Sequence, residues 1–239
     1  LEALLPWLLE EPGSLEIIVV DGGSRDGSVE ATRRFPSVRL VESERGRGCQ
    51  MNRGAGVARG DVLLFLHGDT RPSRGAIADL PRLLDSRGAD FGAFRLRFDP
   101  PVRLPSLLTF FTRLARSWSC FGDQGIFARR EFFRATGGFP EIPLLEDVHW
   151  RRLAGKQGKM ARSPHTAVTS ARRFERIGCL RQTWRNLSIL LRDLAGQDPA
   201  ELALLYERGY RTEALLEKLP SKQNAEVITE AAVWTCPQK

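Results

Sequence analysis

Two aspartates in this sequence stand just past apolar runs. Asp21 follows Ile17, Ile18, Val19 and Val20, and Asp69 closes the segment His67-Gly68-Asp69 that follows the unbroken run 62–66. If each run is a buried strand, each carboxylate lies where α/β sheets collect their ligands, at the carboxyl ends of the strands. A carboxylate there can accept hydrogen bonds from a base or a ribose, or hold a hard divalent cation. An aspartate in that place can also do no more than cap the next turn; two strands that end alike favour the ligand reading. Gly22, Gly23 and Gly27 behind Asp21 permit positive φ and a close approach of the backbone. Arg45, Arg47 and Arg53 flank a Gly/Arg-rich loop that leads into a helix, a suitable anion site through both guanidinium groups and the helix N-terminus. A solvated basic face is the plainer reading of the same arginines. The four cysteines (Cys49, Cys120, Cys179, Cys236) form no C-x-x-C pair and have no histidine at metal-ligand spacing.

The elements that would position these residues alternate in type. Residues 1–10 place Leu4, Leu5, Leu8 and Leu9 at helical spacing, and Pro12-Gly13 ends that helix. Strands are expected at 16–20, 38–41, 62–66 and 91–98, and helices at 29–35, 52–59 and 74–84, with Ser28 or a neighbour capping the first of these. Strands alternating with helices imply an α/β fold with a largely parallel sheet. The chain has 239 residues, 42% of them hydrophobic and 27% charged, which excludes a disordered polymer and suits one compact core with an appendage. No apolar run approaches the ~20 residues of a membrane-spanning helix.

With these elements laid out, a resemblance emerges. The segment from Val19 to Ser28, Val-Val-Asp-Gly-Gly-Ser-Arg-Asp-Gly-Ser, resembles the nucleotide-binding signature of family 2 glycosyltransferases, which have the GT-A fold. Phe65-Leu66-His67-Gly68-Asp69-Thr70 resembles the segment that holds the family's Asp-x-Asp metal motif, and Glu146-Asp147 resembles its later acidic pair. Order and spacing agree over residues 16–176. Gly46-Arg47-Gly48-Cys49-Gln50-Met51-Asn52, Gly122-Asp123-Gln124-Gly125 and Ser170-Ala171-Arg172-Arg173 are similar to a bacterial subfamily associated with arsenosugar biosynthesis and radical-SAM gene neighbourhoods.

The resemblance implies a GT-A fold, Rossmann-like, with a mostly parallel sheet flanked by helices and with C-terminal helices. It implies a nucleotide-sugar donor, a hydroxyl acceptor and an inverting transfer in which Asp147 is the base and Glu146 its neighbour. Asp21, Gly22, Gly23, Ser24, Asp26, Arg47, Asn52 and Gly68 would bind the donor nucleotide. Asp123 and Gln124 would touch the donor sugar or the acceptor, and Arg172 and Arg173 the diphosphate. Asp69, with His67, would hold Mg²⁺ or Mn²⁺. His67 stands where the family has its first Asp, and an imidazole is a poorer ligand for a hard ion. Apart from the resemblance, Glu146-Asp147 also reads as an acidic pair complementing a helix dipole.

Family members open with a strand before the first helix, whereas this chain starts inside that helix. A central strand is therefore expected to be missing, as in a fragment or a chain begun too far downstream. The expected divisions are a glycosyltransferase domain at 1–176, a helical extension at 177–220 and a tail at 221–239 that is expected to be disordered, with a strand at 227–228 and 231–236 as the alternative. A non-catalytic binding protein of the same fold is the alternative function.

The net charge is +7, from 36 basic and 29 acidic residues, and it is unevenly placed. Residues 1–102 hold 14 basic and 15 acidic side chains, whereas residues 103–192 hold 17 and 6. The segments 104–118 and 180–194 are amphipathic and bear arginines, so peripheral contact with a membrane surface is expected. The start of the chain has no signal-peptide pattern, which points to a cytoplasmic location at the inner face of that membrane. Nucleic acid is not an expected partner, because aromatics do not interleave with the basic runs.

Overall fold

The computed structural model describes residues 1–101, 122–216 and 230–235. The expected amphipathic segment 104–118 lies outside them. Helix α1 (Leu4–Leu9) leads into strand β1 (Leu15–Asp21), helix α2 (Ser28–Arg33), strand β2 (Val38–Glu42), helix α3 (Arg47–Val57), strand β3 (Val62–His67) and the short strand β4 (Thr70–Pro72). Helix α4 (Leu80–Arg87), strand β5 (Phe91–Asp99), a 3-10 turn (Gly122–Gln124), strand β6 (Ile126–Arg129), helices α5 (Arg130–Ala135) and α6 (Glu146–Gln157) and strand β7 (Met160–Ser170) follow. Three helices, α7 (Arg172–Ile177), α8 (Cys179–Leu194) and α9 (Pro199–Leu216), precede the last strand, β8 (Glu230–Thr235).

The eight strands form one sheet in the order β2-β1-β8-β3-β6-β5-β7-β4. The sheet is mixed, and this corrects the expectation of a mostly parallel one. Only the β1–β2 and β5–β7 neighbours are parallel, while β8, β6 and β4 run against the strands beside them. Because β8 is antiparallel to both β1 and β3, those two strands still point the same way. Asp21 and His67 therefore end on one edge, with Glu230 in register with Val20 on one side and His67 on the other. The 3-10 turn enters the antiparallel β6 at the same edge.

Strand β8 is the largest departure from the sequence reading. It lies in the region expected to be a disordered tail, and it occupies the central place between β1 and β3 that was expected to lack a strand. A gap there would leave two rows of backbone N–H and C=O groups unpaired inside the sheet, and six residue pairs on each side of β8 satisfy them.

Side-chain alternation along the central strands builds two cores. Ile17, Val19, Leu64 and Leu66 face α1 and α4 and meet Leu4, Leu5, Leu8, Leu80 and Leu84. Ile18, Val20, Leu63 and Phe65 face the other way and meet Met51, Ala55, Phe133, Phe139 and Trp150. On this second face Phe65 lies 4.9 Å from Phe133 and 4.8 Å from Phe139, and Trp150 lies 5.4 Å and 5.2 Å from the same two rings. The indole N–H of Trp150 donates to Thr136 Oγ1 at 2.9 Å, which satisfies its one polar group. Each buried aromatic contributes about 1.5–3 kcal/mol, against about 0–1 kcal/mol for an exposed ion pair. The aromatic cluster, rather than surface charge, therefore fixes α6 and the acidic pair at its start.

Candidate active site

The turn after β1 is organised by Asp21 itself. Its buried carboxylate accepts from the N–H of Gly23 at 3.0 Å and from the N–H of Ser24 at 3.1 Å and 3.2 Å. Gly23 has φ +90°, a conformation an L side chain resists, so the tight turn depends on it. Asp26 accepts from the N–H of Ser28 at 3.1 Å, and its bonds to Ser28 hold its carboxyl below the ordinary carboxylate value. Asp26 thus braces the entry to α2. Gln50 Nε2 donates to the carbonyl of Val20 at 3.0 Å, which pins α3 under the same turn. A Cβ on Gly22 would lie 3.0–3.1 Å from the Gln50 amide, so the turn and the helix are in contact there.

Beside this turn, Arg47, the first residue of α3, lies between the end of β3 and the start of α6. One of its guanidinium nitrogens is 3.0 Å from His67 Nδ1 and 2.5 Å from His67 Nε2. Its Nε is 3.2 Å from Glu146 Oε1, on a side chain that is only 2% exposed. Asp147 Oδ2 accepts from the N–H of Gly122 at 2.6 Å, and Asp123 Oδ1 is 3.6 Å from His67 Nε2. A Cβ on Gly122 would lie 2.9 Å from His67 Nε2, 3.3 Å from Asp147 Oδ2 and 3.4 Å from Arg47 Nη2. Four elements thus converge on one backbone position with no room for a side chain. Together they line a narrow pocket whose apolar wall is Met51, Phe65, Leu66 and Ile126.

The acidic pair is held out by a strained residue. Leu145, just before α6, has φ +66°, the single positive φ at a non-glycine position among the described residues. That conformation costs about 1–3 kcal/mol and persists only where the surroundings enforce it. It turns the chain so that Glu146 and Asp147 begin the helix at the sheet edge.

Other residues expected at the site take different places. The Asn52 amide exchanges two hydrogen bonds with the backbone of Phe139, donating at 2.7 Å and accepting at 2.9 Å, so it clamps α3 to the loop before α6. Gln124 is fully buried and accepts from Arg162, which also donates to the Phe94 carbonyl at 3.0 Å. Arg172, the first residue of α7, donates to Ser170 Oγ at 3.0 Å. Arg173 belongs to α7, and Gly68 to the turn after β3. Gln50 and Arg162 were missed by sequence reasoning. Gln50 lies inside a quoted motif, whereas nothing about Arg162 distinguishes it from the chain's other arginines. Burial, with Glu141 nearby, pushes the Cys49 thiol up, which disfavours a thiolate nucleophile beside the site.

The residues do not fit a divalent cation well. Among the described residues no three side chains of His, Cys, Asp or Glu come together to hold an ion. Asp69 is exposed, its Oδ1 3.4 Å and 3.5 Å from the hydroxyls of Thr70 and Thr169. The imidazole of His67 already lies against a guanidinium. Mg²⁺ and Mn²⁺ favour oxygen ligands, so an imidazole beside a fixed positive charge, with Asp69 and Asp123 not gathered with it into a set of three, makes a poor site.

A mixed sheet of this order with a polar cluster at its carboxyl edge defines a GT-A-like α/β fold. Residues 1–136 match the family model described as glycosyl transferase family 2, and the chain belongs to that family. It is 24% identical over 167 residues to the glycosyltransferase AglE of Haloferax volcanii, a match covering 64% of this chain and 55% of that protein. Two solved structures show the same fold. The mannosyltransferase PcManGT of Pyrobaculum calidifontis, in complex with GDP-Man and Mn²⁺, has a TM-score of 0.53 at 22% identity, covering 71% of this chain and 50% of that one. S. aureus TarS 1–349 has a TM-score of 0.52 at 18% identity, covering 65% and 51%. The chain thus spans about half the length of these proteins.

Proposed function

We propose that this chain transfers a sugar, with inversion, from a nucleotide-sugar donor to a hydroxyl acceptor, with Asp147 as the base. The single observation that supports it best is the placing of Asp147. A strained Leu145 and the N–H of Gly122 aim its carboxylate at the pocket that Arg47 and His67 also line. In this reading the acceptor hydroxyl gives its proton to Asp147 as its oxygen attacks the anomeric carbon. The bond from that carbon to the phosphate oxygen breaks, and its electron pair leaves with the nucleoside diphosphate. Gly22, Gly23 and Ser24, shaped by Asp21, receive the nucleotide, and Asp123 faces the sugar or the acceptor. Donor complexes of the two fold neighbours, UDP-GlcNAc for TarS and GDP-Man for PcManGT, support the donor class. The motifs around Arg47, Gln124 and Arg172 resemble those of the subfamily associated with arsenosugar biosynthesis and support that finer reading.

Peripheral contact with an anionic membrane, at the cytoplasmic face, completes the reading. Leu180, Trp184, Leu187, Leu191 and Leu194 form one exposed stripe along α8, with Trp184 70% exposed. The one acid of α8, Asp193, is buried, and its exposed charges, Arg181 and Arg192, are basic and complement anionic lipid, whereas the Arg185 guanidinium is buried over the Tyr206 ring. No described helix is long and apolar enough to cross a membrane.

The test is turnover of a panel of UDP-, GDP- and dTDP-sugars by the parent chain and by Asp147→Asn. The expected result is turnover by the parent that falls at least about 10²-fold in the variant, with nucleotide binding retained. Equal turnover by both removes Asp147 as the base, whereas nucleotide binding with no turnover by the parent returns the chain to the alternative of a non-catalytic binding protein.

A further inference from the structure

Resting on the glycosyl-transfer reading, we infer that Arg47 itself supplies the positive charge the departing diphosphate requires. Its guanidinium takes the part that the family resemblance gives to a divalent cation, and transfer by this chain proceeds without one.

The inference starts from the position that departs from the family pattern. Where an aspartate would offer two hard oxygens, this chain has His67, and a permanent cation lies against it, with an Arg47 nitrogen 3.0 Å from Nδ1. The guanidinium is held in place rather than loosely swinging. The Glu146 carboxylate, 2% exposed, grips its Nε at 3.2 Å, and the backbone of Gly122 closes one side. The Arg47 side chain is itself 28% exposed, so a ligand entering the pocket can reach it. Gly46, just before it, has φ +147°, a conformation that favours glycine and directs the start of α3 toward the pocket.

A guanidinium keeps its charge across the working pH range, and its planar fork matches phosphate oxygens in pairs. As the bond between the anomeric carbon and the phosphate oxygen breaks, both electrons remain on the diphosphate. A fixed cation at that oxygen stabilises the transition state more than the ground state. No proton moves to or from Arg47; the acceptor's proton goes to Asp147. A divalent ion brought to His67 would meet an adjoining positive charge, and although Asp123 Oδ1 lies 3.6 Å from His67 Nε2, no three ligand side chains gather there among the described residues.

The experiment measures donor turnover in EDTA and in Mn²⁺, and in parallel the affinity for UDP, GDP and dTDP by calorimetry under both conditions. The expected result is parent turnover that differs by no more than about twofold between EDTA and Mn²⁺, with nucleoside diphosphate bound in EDTA. Arg47→Ala should lower kcat about 10²–10³-fold, the range for losing one such electrostatic group, and weaken the binding of nucleoside diphosphate. Arg47→Lys, which keeps charge but loses the fork, should fall between the two. Circular dichroism of both variants shows whether the fold persists, and a purely structural role for Arg47 would leave Lys and Ala alike in kcat. Turnover or nucleotide binding that appears only with Mn²⁺ overturns the inference and leaves the glycosyl-transfer reading intact. No nucleotide binding under either condition overturns both.

Discussion

Asp193 accepts a 2.6 Å hydrogen bond from His149 Nε2 and so ties the end of α8 to the helix that begins with Glu146 and Asp147. Arg152, one turn further along α6, donates to the other oxygen of the same carboxylate, also at 2.6 Å. The exposed stripe of α8 and the acidic pair of α6 are therefore mechanically joined through one buried side chain.

That junction should be sensitive to acid. Burial is the largest influence on Asp193 and acts upward, but the hydrogen bonds and charges of His149 and Arg152 together outweigh it and leave the carboxyl below its ordinary 3.8. A group depressed in the folded state contributes stability above its unfolded value and loses it as pH falls through the folded value. Denaturant unfolding from pH 7 to pH 3 should show the parent losing stability below about pH 4 and Asp193→Asn losing less. At pH 7 the substitution should cost about 1.5–3 kcal/mol, the range for hydrogen bonds to charged groups. Parallel pH curves would remove Asp193 as the source.

Asn52 should behave as a clamp. Asn52→Ala leaves the N–H and C=O of Phe139 without their side-chain partner, a loss of about 1–3 kcal/mol for each buried group left unsatisfied. Urea denaturation checks the cost. An unchanged midpoint with weakened nucleotide binding would instead make Asn52 a donor ligand.

Removal of residues 230–239 should be severe, because β8 lies inside the sheet. Without it β1 and β3 each face a vacant edge. The expected outcome is loss of a cooperative thermal transition and rapid hydrogen exchange at Ile17–Val20 and Leu63–Leu66. A truncated chain that melts like the parent would show that β8 contributes nothing to the sheet's stability.

Trp184→Ser combined with Leu187→Ser should abolish sedimentation with vesicles of anionic lipid. Both residues are exposed, so thermal stability should hold within about 0.5 kcal/mol. No binding of the parent chain to such vesicles would sink the membrane reading.

Much of the donor half was legible because its signals are local. The runs Ile17–Val20 and 62–66 are buried strands that carry two core faces by simple alternation, and Asp21 and His67 end on one edge as their shared position after a strand required. The motifs from Asp21 to Ser28 and at Glu146-Asp147 lie at turns and helix starts, where residue type and backbone conformation are tightly coupled. The roles of individual polar residues were less legible. Asn52 and Gln124 share motifs with Arg47 and Asp123, yet the first pair bonds inward to Phe139 and Arg162, while Arg47 lines the pocket and the exposed Asp123 lies beside His67.

The sequence by itself determined the alternation of elements, the family and the acids at the strand ends, because each depends on patterns a few residues long. Only the tertiary structure decided that a distant segment at 230–235 fills the middle of the sheet, since strand pairing across more than 160 residues leaves no local signature. It also decided that Arg47, His67, Gly122, Glu146 and Asp147 meet at one point. Their closeness comes from four chain crossings at one sheet edge, fixed by the aromatic packing beneath α6 rather than by any spacing along the chain.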